Sequence, residues 1–245
     1  MKKEEDKKIH VKKGFLLLVV ASLFLFSISF ALSAPTGIDG LDSNFNKTKS
    51  AASAQMVNIS GGYIASFNLT ADVQNPRWKA FVGQVIGSFS LSDGEGSTIY
   101  DWTLATVTGR VYATRKVAAP NWGSIACATT ANLETENANM NHDKIFDNIT
   151  ATFDDATHGI FYVGAEDFLA NECTHTVNTY VGGASTAAFE EVALYDGADI
   201  VYAAILEENE VGFDGEAYDF QMLVPEDGSP GFAGATPYYL YIELD

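Results

Sequence analysis

Residues 191–206 read Glu-Val-Ala-Leu-Tyr-Asp-Gly-Ala-Asp-Ile-Val-Tyr-Ala-Ala-Ile-Leu. Two runs rich in β-branched, aromatic and small apolar residues flank Asp196-Gly197, a dipeptide suited to the tight turn of a hairpin. The stretch therefore predicts strands over 191–195 and 199–206. Toward the C-terminus, 218–224 and 238–244 have the same character and predict two further strands, separated by a segment running from Pro225 to Pro237. Toward the N-terminus, 85–91 and 99–104 read as strands around Asp93-Gly94-Glu95-Gly96, and 107–114 supplies a third. From Val57 onward Ile64, Phe67, Leu69 and Val73 are spaced as in short strands. Short strands with Gly-rich links, repeated along 56–245, predict a mainly β protein, an antiparallel β-sandwich or barrel-like domain.

The middle of the chain, 118–185, is less regular. Residues 131–142 and 165–173 predict short helices, and 145–153 and 159–163 predict strands. Cys127 and Cys173 flank most of this region and are the two cysteines of the chain. An even cysteine count in an exported chain predicts a disulfide. Closing a loop of this length contributes about 4 kcal/mol on the chain-entropy account. The segment thus reads as an irregular, disulfide-stapled insertion projecting from a regular sandwich, which would make it a place for specific recognition.

The first 33 residues place the rest of the chain. Lys12 and Lys13 precede an uncharged, mostly apolar run from Phe15 to Leu32, and Ala31 and Ser33 are small residues before Ala34. Three readings fit. A signal peptide would be cut before Ala34; an N-terminal anchor helix would be kept, since the run reaches spanning length; a prepilin-type site would be cut after Gly14. In each, the lysines stay inside and the remainder lies outside. Residues 34–55, polar and without periodicity, read as a flexible linker.

Composition agrees with an extracellular or cell-surface location. The chain carries 14 basic and 32 acidic residues, and the first 33 hold six lysines and three acids, which leaves eight and 29, a net charge of −21, in the remainder. Such a surface repels nucleic acid and anionic lipid. The membrane is then met only through the N-terminal apolar segment, if uncleaved. Asn-x-Ser/Thr sequons at Asn46, Asn58, Asn68 and Asn148 are candidate glycosylation sites.

Catalytic signatures are missing from the sequence. It contains no Gly-x-Ser-x-Gly, no His-Glu-x-x-His, and no phosphate-binding or dinucleotide loop. His142, His158 and His175 lie near the cysteines without the close paired spacings of structural zinc sites. Calcium is the one cofactor the acidic loops would suit, through Asp93 and Glu95 or Asp214 and Glu216, although neither loop follows EF-hand spacing. Trp78, Trp102 and Trp122 are the candidate ligand-facing aromatics; aromatics at strand positions also serve as core.

The run Trp78-Lys79-Ala80-Phe81-Val82-Gly83, then Tyr100-Asp101-Trp102, resembles a motif in a group of secreted archaeal β-rich proteins of unassigned function. Tyr218-Asp219-Phe220-Gln221-Met222-Leu223-Val224-Pro225 and 238–244 fit the same group. The resemblance implies an exported archaeal β-rich protein and carries over no catalytic residue.

These features lead to the expectation of a non-enzymatic cell-surface structural or adhesive protein, a filament or surface-layer subunit among them, with other copies of itself, cell-surface proteins or glycans as partners. Two alternatives are a secreted carbohydrate-binding module and a type IV pilin-like subunit processed after Gly14. Association would run through sheet edges, with the 34–55 segment or the C-terminal strand as the free piece.

Overall fold

The computed structural model describes residues 34–42, 47–71, 73–182 and 184–245. The expected N-terminal apolar helix and the sequon at Asn46 lie outside the described residues. No helix among the described residues is long and apolar enough to cross a membrane.

The fold grows from the hairpin of residues 191–206. Its two strands belong to β10 (Ala184–Tyr195) and β11 (Ile200–Ile205), paired antiparallel from Glu191↔Ala204 to Tyr195↔Ile200. The turn holds because Asp196 Oδ1 accepts from the N–H groups of Ala198 (2.9 Å) and Asp199 (2.8 Å), while Gly197 takes a φ of +93°. Burial pushes the Asp196 carboxyl up, but these N–H groups and the Lys116 ammonium at 2.9 Å outweigh it and hold the carboxyl below the ordinary carboxylate range.

Five further strands extend this pair. They are β1 (Thr36–Gly37), β5 (Gly109–Thr114), β6 (Ala126–Cys127), β9 (Thr176–Val181) and β15 (Tyr239–Leu244). Among the described residues they form a seven-stranded antiparallel sheet of order β1-β15-β5-β11-β10-β6, with β9 also on β10. Both faces of this sheet are covered. On one, Val111, Ala113, Ala193, Tyr202 and Ala204 pack with Leu133, Ile149, Phe153, Met222 and Val224. On the other, Tyr112, Val192, Leu194, Val201 and Ala203 pack with Ile125, Phe161, Val163, Phe168 and Cys173. Strands buried on both sides need apolar residues at every position, which is why 200–206 reads as a continuous run.

The first face is covered by a two-stranded pair, β2 (Trp78–Gly83) with β14 (Phe220–Pro225), and by two helices. Helix α1 (Thr130–Asn139) starts at a capping box, where Thr129 Oγ1 accepts from Asn132 N and Asn132 Oδ1 accepts from Thr129 N. The single turn α2 (Ile149–Thr152) is capped by Asn148, whose Oδ1 accepts from Ala151 N at 2.7 Å. The second face is covered by the hairpin β7 (Phe161–Val163) and β8 (Glu166–Phe168). Cys127 and Cys173 are joined in a disulfide with Cα atoms 5.1 Å apart, tying β6 to the segment that leads into β9.

Several expectations need correction. The middle segment is no outward lobe: Leu133, Ile149 and Phe153 line one core and Phe161, Val163 and Phe168 the other. Within it, 145–153 contains α2 instead of a strand, because Asn148 Oδ1 accepts from Ala151 N and starts a helical turn. Residues 165–173 contain β8 and a turn instead of a helix. The 34–55 stretch begins as an edge strand, with Thr36↔Ile242 and Gly37↔Tyr241. Strand β15 lies between β1 and β5, so neither edge of its 241–242 portion is free. Residues 57–71 form no strand among the described residues, and Ile64, Leu69 and Val73 stand exposed.

A buried ion pair and a buried lone carboxyl mark the cores. Arg110 and Glu243 face each other across β5 and β15 at 3.1 Å; Glu243 also accepts from Tyr112 Oη (2.6 Å) and from Gly164 N (2.8 Å), which ties in the β7–β8 turn. Glu191 is fully enclosed in the opposite core. Its Oε2 accepts from Leu223 N at 2.7 Å, its Oε1 has no protein partner among the described residues, and burial pushes its carboxyl well above the ordinary 4.5. The folded protein therefore keeps Glu191 protonated where the unfolded chain has released the proton. The stability linked to it is complete below pH 4.5 and is lost as pH rises through the folded-state value, at up to about 1.4 kcal/mol per pH unit. Glu191→Gln is expected to match the parent near pH 4 and to become progressively more stable than it toward pH 8, as read from urea midpoints across that range.

Candidate interaction surface

The strands β3 (Ser88–Ser92) and β4 (Thr98–Thr103) form a hairpin that pairs with no other strand among the described residues, and every residue in both strands is exposed. Cross-strand pairs Phe89↔Trp102 and Leu91↔Tyr100 put four apolar side chains on one face, whereas Ser88↔Thr103 and Ser90↔Asp101 make the other face polar. The apolar row continues an inner row. Along 81–87 burial alternates, with Phe81 and Val85 packed on the core and Gln84 and Ile86 outside. A Cβ at Gly87 would stand 2.3 Å from Leu244 Cδ1, so the backbone there lies directly on the last strand of the main sheet. Beyond Gly87 the same parity leads to Phe89 and Leu91, which are uncovered.

The turn of this hairpin is closed by its own acid. Asp93 Oδ1 accepts from Glu95 N (3.0 Å) and Ser97 N (2.8 Å), and Gly96 takes a φ of +88°. These N–H groups hold the Asp93 carboxyl below the ordinary range. Asp214 is engaged likewise, by Lys47, by Glu216 N (3.2 Å) and by Tyr218 Oη (3.2 Å), and its carboxyl is lowered, chiefly by Lys47. Among the described residues no three His, Cys, Asp or Glu side chains gather as metal ligands; Asp93 and Asp214 accept from backbone N–H groups of their own turns, to which Glu95 and Glu216 contribute only their N–H.

The three tryptophans separate by role. Trp78 donates Nε1–H to Asp147 O at 2.9 Å and meets His142 edge-on with ring centroids 5.2 Å apart. Trp122 packs between Tyr112 and Tyr241, at 5.1 and 5.4 Å. Trp102 is 50% exposed and touches Tyr100 at 5.0 Å. Trp78 and Trp122 are half-buried packing residues; Trp102 faces solvent.

His142, His158 and His175 are internal as well. His158 Nε2 accepts from Cys173 N (2.9 Å), which leaves Nδ1–H for Gly159 O (2.6 Å). His175 pairs with Phe153 O and Thr130 Oγ1, each at 3.1 Å, and His142 Nε2 pairs with Glu226 O at 2.8 Å. None of the three faces an open site. Of the described sequons, Asn58 and Asn68 are exposed, and Asn148 is half-buried with its Oδ1 committed to the α2 cap.

Hairpin exposure was not legible from the strand pattern, because an apolar row predicts burial whether or not its own chain supplies the cover. The one available signal was the all-Ser polar face, Ser88, Ser90 and Ser92, which marks a strand wet on one side. Trp78→Ala is expected to cost about 3 kcal/mol of stability and Trp102→Ala no more than about 0.5 kcal/mol, as measured by urea denaturation. The chain matches no protein-family model, no curated protein and no solved structure.

Proposed function

We propose that the protein is a non-catalytic exported component of a cell surface, archaeal by the resemblance of its motifs, and that it works by associating with copies of itself. The observation that carries this reading is the uncovered apolar face of the β3–β4 hairpin on a chain of net charge −18. A two-stranded ribbon is marginal in water by itself, and apolar patches of this kind mark association sites. The disulfide between Cys127 and Cys173 supports an oxidising location, in agreement with export. We read the β2–β14 pair over the main sheet as the second layer of a sandwich that is incomplete in one chain.

A carbohydrate-binding role is the second reading, favoured by the exposed Tyr100 and Trp102 ring pair. It predicts polysaccharide binding by the monomer that Trp102→Ala abolishes.

Self-association of a strongly acidic chain has to overcome charge repulsion between copies. Screening shortens from about 30 Å at 0.01 M salt to about 8 Å at 0.15 M. Sedimentation of the full chain, produced in an exporting host, is expected to show larger species that grow with protein concentration and with salt. A monomer at every concentration and salt would contradict the reading.

A further inference from the structure

Residues 63–71, Tyr-Ile-Ala-Ser-Phe-Asn-Leu-Thr-Ala, have the pattern of a strand with one apolar side. Tyr63, Ala65, Phe67, Leu69 and Ala71 alternate with Ile64, Ser66, Asn68 and Thr70. Yet they have no strand partner among the described residues, and every one of them is exposed, Leu69 to 90% and Phe67 to 53%. The apolar face of the β3–β4 hairpin is likewise uncovered. One chain thus displays an extended-pattern segment that forms no strand and an open ribbon some 17 residues apart in sequence without joining them.

Both pieces lie in stretches without charge, as do 117–133, 173–189 and 228–242. From Ser50 to Ala71 the chain has no charged residue, and from Ala80 to Ser92 it again has none, in a sequence with 46 charged side chains. These are surfaces that two acidic copies can bring together without placing like charges opposite each other. Strand β3 lies wholly in the second stretch, and its edge away from β4 pairs with no strand among the described residues.

We propose that residues 63–71 of one copy add as a third strand to the free edge of β3 in a second copy. Backbone hydrogen bonds along β3 supply affinity, and the Tyr63, Phe67 and Leu69 row aligns with Phe89 and Leu91 to set the register. Three strands sharing an apolar face reach the size at which a small sheet becomes stable, which the two-stranded ribbon does not. Asn68 falls on the polar side of the added strand, where an attached glycan would stay clear of the contact. Because donor and acceptor are different surfaces of each copy, the contact is head to tail and generates open chains of subunits.

The inference rests on the self-association proposed above and is tested with two exposed substitutions, Leu69→Asp in the donor and Leu91→Asp in the acceptor. Both full-length variants are expected to keep the parent's circular dichroism and thermal midpoint. Each alone should sediment as a monomer, whereas an equimolar mixture should give a dimer, since the mixture holds one intact donor and one intact acceptor. A synthetic peptide of residues 60–73 should shift Trp102 fluorescence in the Leu69→Asp protein and not in Leu91→Asp. If the parent assembles and Leu69→Asp assembles equally well, the strand assignment is overturned while self-association stands. A parent that remains monomeric overturns both.

Discussion

Burial of one antiparallel sheet on both faces is the constraint on which the rest of the structure depends. Tyr202 and Ala204 of β11 face one core while Val201 and Ala203 face the other, so each face requires a cover. One cover comes from β2, β14 and the two helices, the other from the β7–β8 hairpin and the disulfide-linked segment behind it. This divides the chain into parts held by apolar contact and parts left outside it. The buried ionisable groups follow from the same constraint. Arg110 and Glu243 are tolerated because they face each other across adjacent strands and Tyr112 and Gly164 complete their hydrogen bonds; Glu191 is tolerated by remaining protonated.

The readable elements were those whose local chemistry and tertiary environment agree. Asp196-Gly197 both forms the turn and sits where the sheet needs one, so residues 191–206 were legible as a hairpin. The same holds for 88–103, where the Asp93 side chain closes the loop, and for 239–244, a β-branched and aromatic run. Residues 145–153 misled because Ile145, Phe146, Ile149 and Phe153 suggest a strand, whereas Asn148 caps a helical turn that only Ile149 and Phe153 anchor in the core. The middle segment looked like an insertion because its buried residues are spread over short pieces, none of which has a period of its own. Strand β9 was missed for that reason: Thr176-Val-Asn-Thr-Tyr-Val is defined by its pairing with β10 more than by its composition.

The interaction surface was legible in part. The sequence shows the alternation in residues 63–71 and in the hairpin, but alternation states only that one side seeks an apolar partner. Whether the partner belongs to the same chain depends on the three-dimensional arrangement, and here both elements face solvent. The expected free pieces, 34–55 and the C-terminal strand, are engaged with each other in part. Thr36 and Gly37 pair with Ile242 and Tyr241, so at these positions the two candidates occupy each other's edge. The association we propose uses 63–71 instead, a segment whose pattern is that of an ordinary strand of the domain.

Amide hydrogen exchange at residues 63–71 and 88–92, followed as the concentration of the unmodified protein is raised, tests the central claim most directly. The account predicts fast exchange in both segments when the protein is dilute and joint protection when it is concentrated, with β10 and β11 protected throughout. Exchange in 63–71 that stays fast at concentrations where larger species have formed would contradict it.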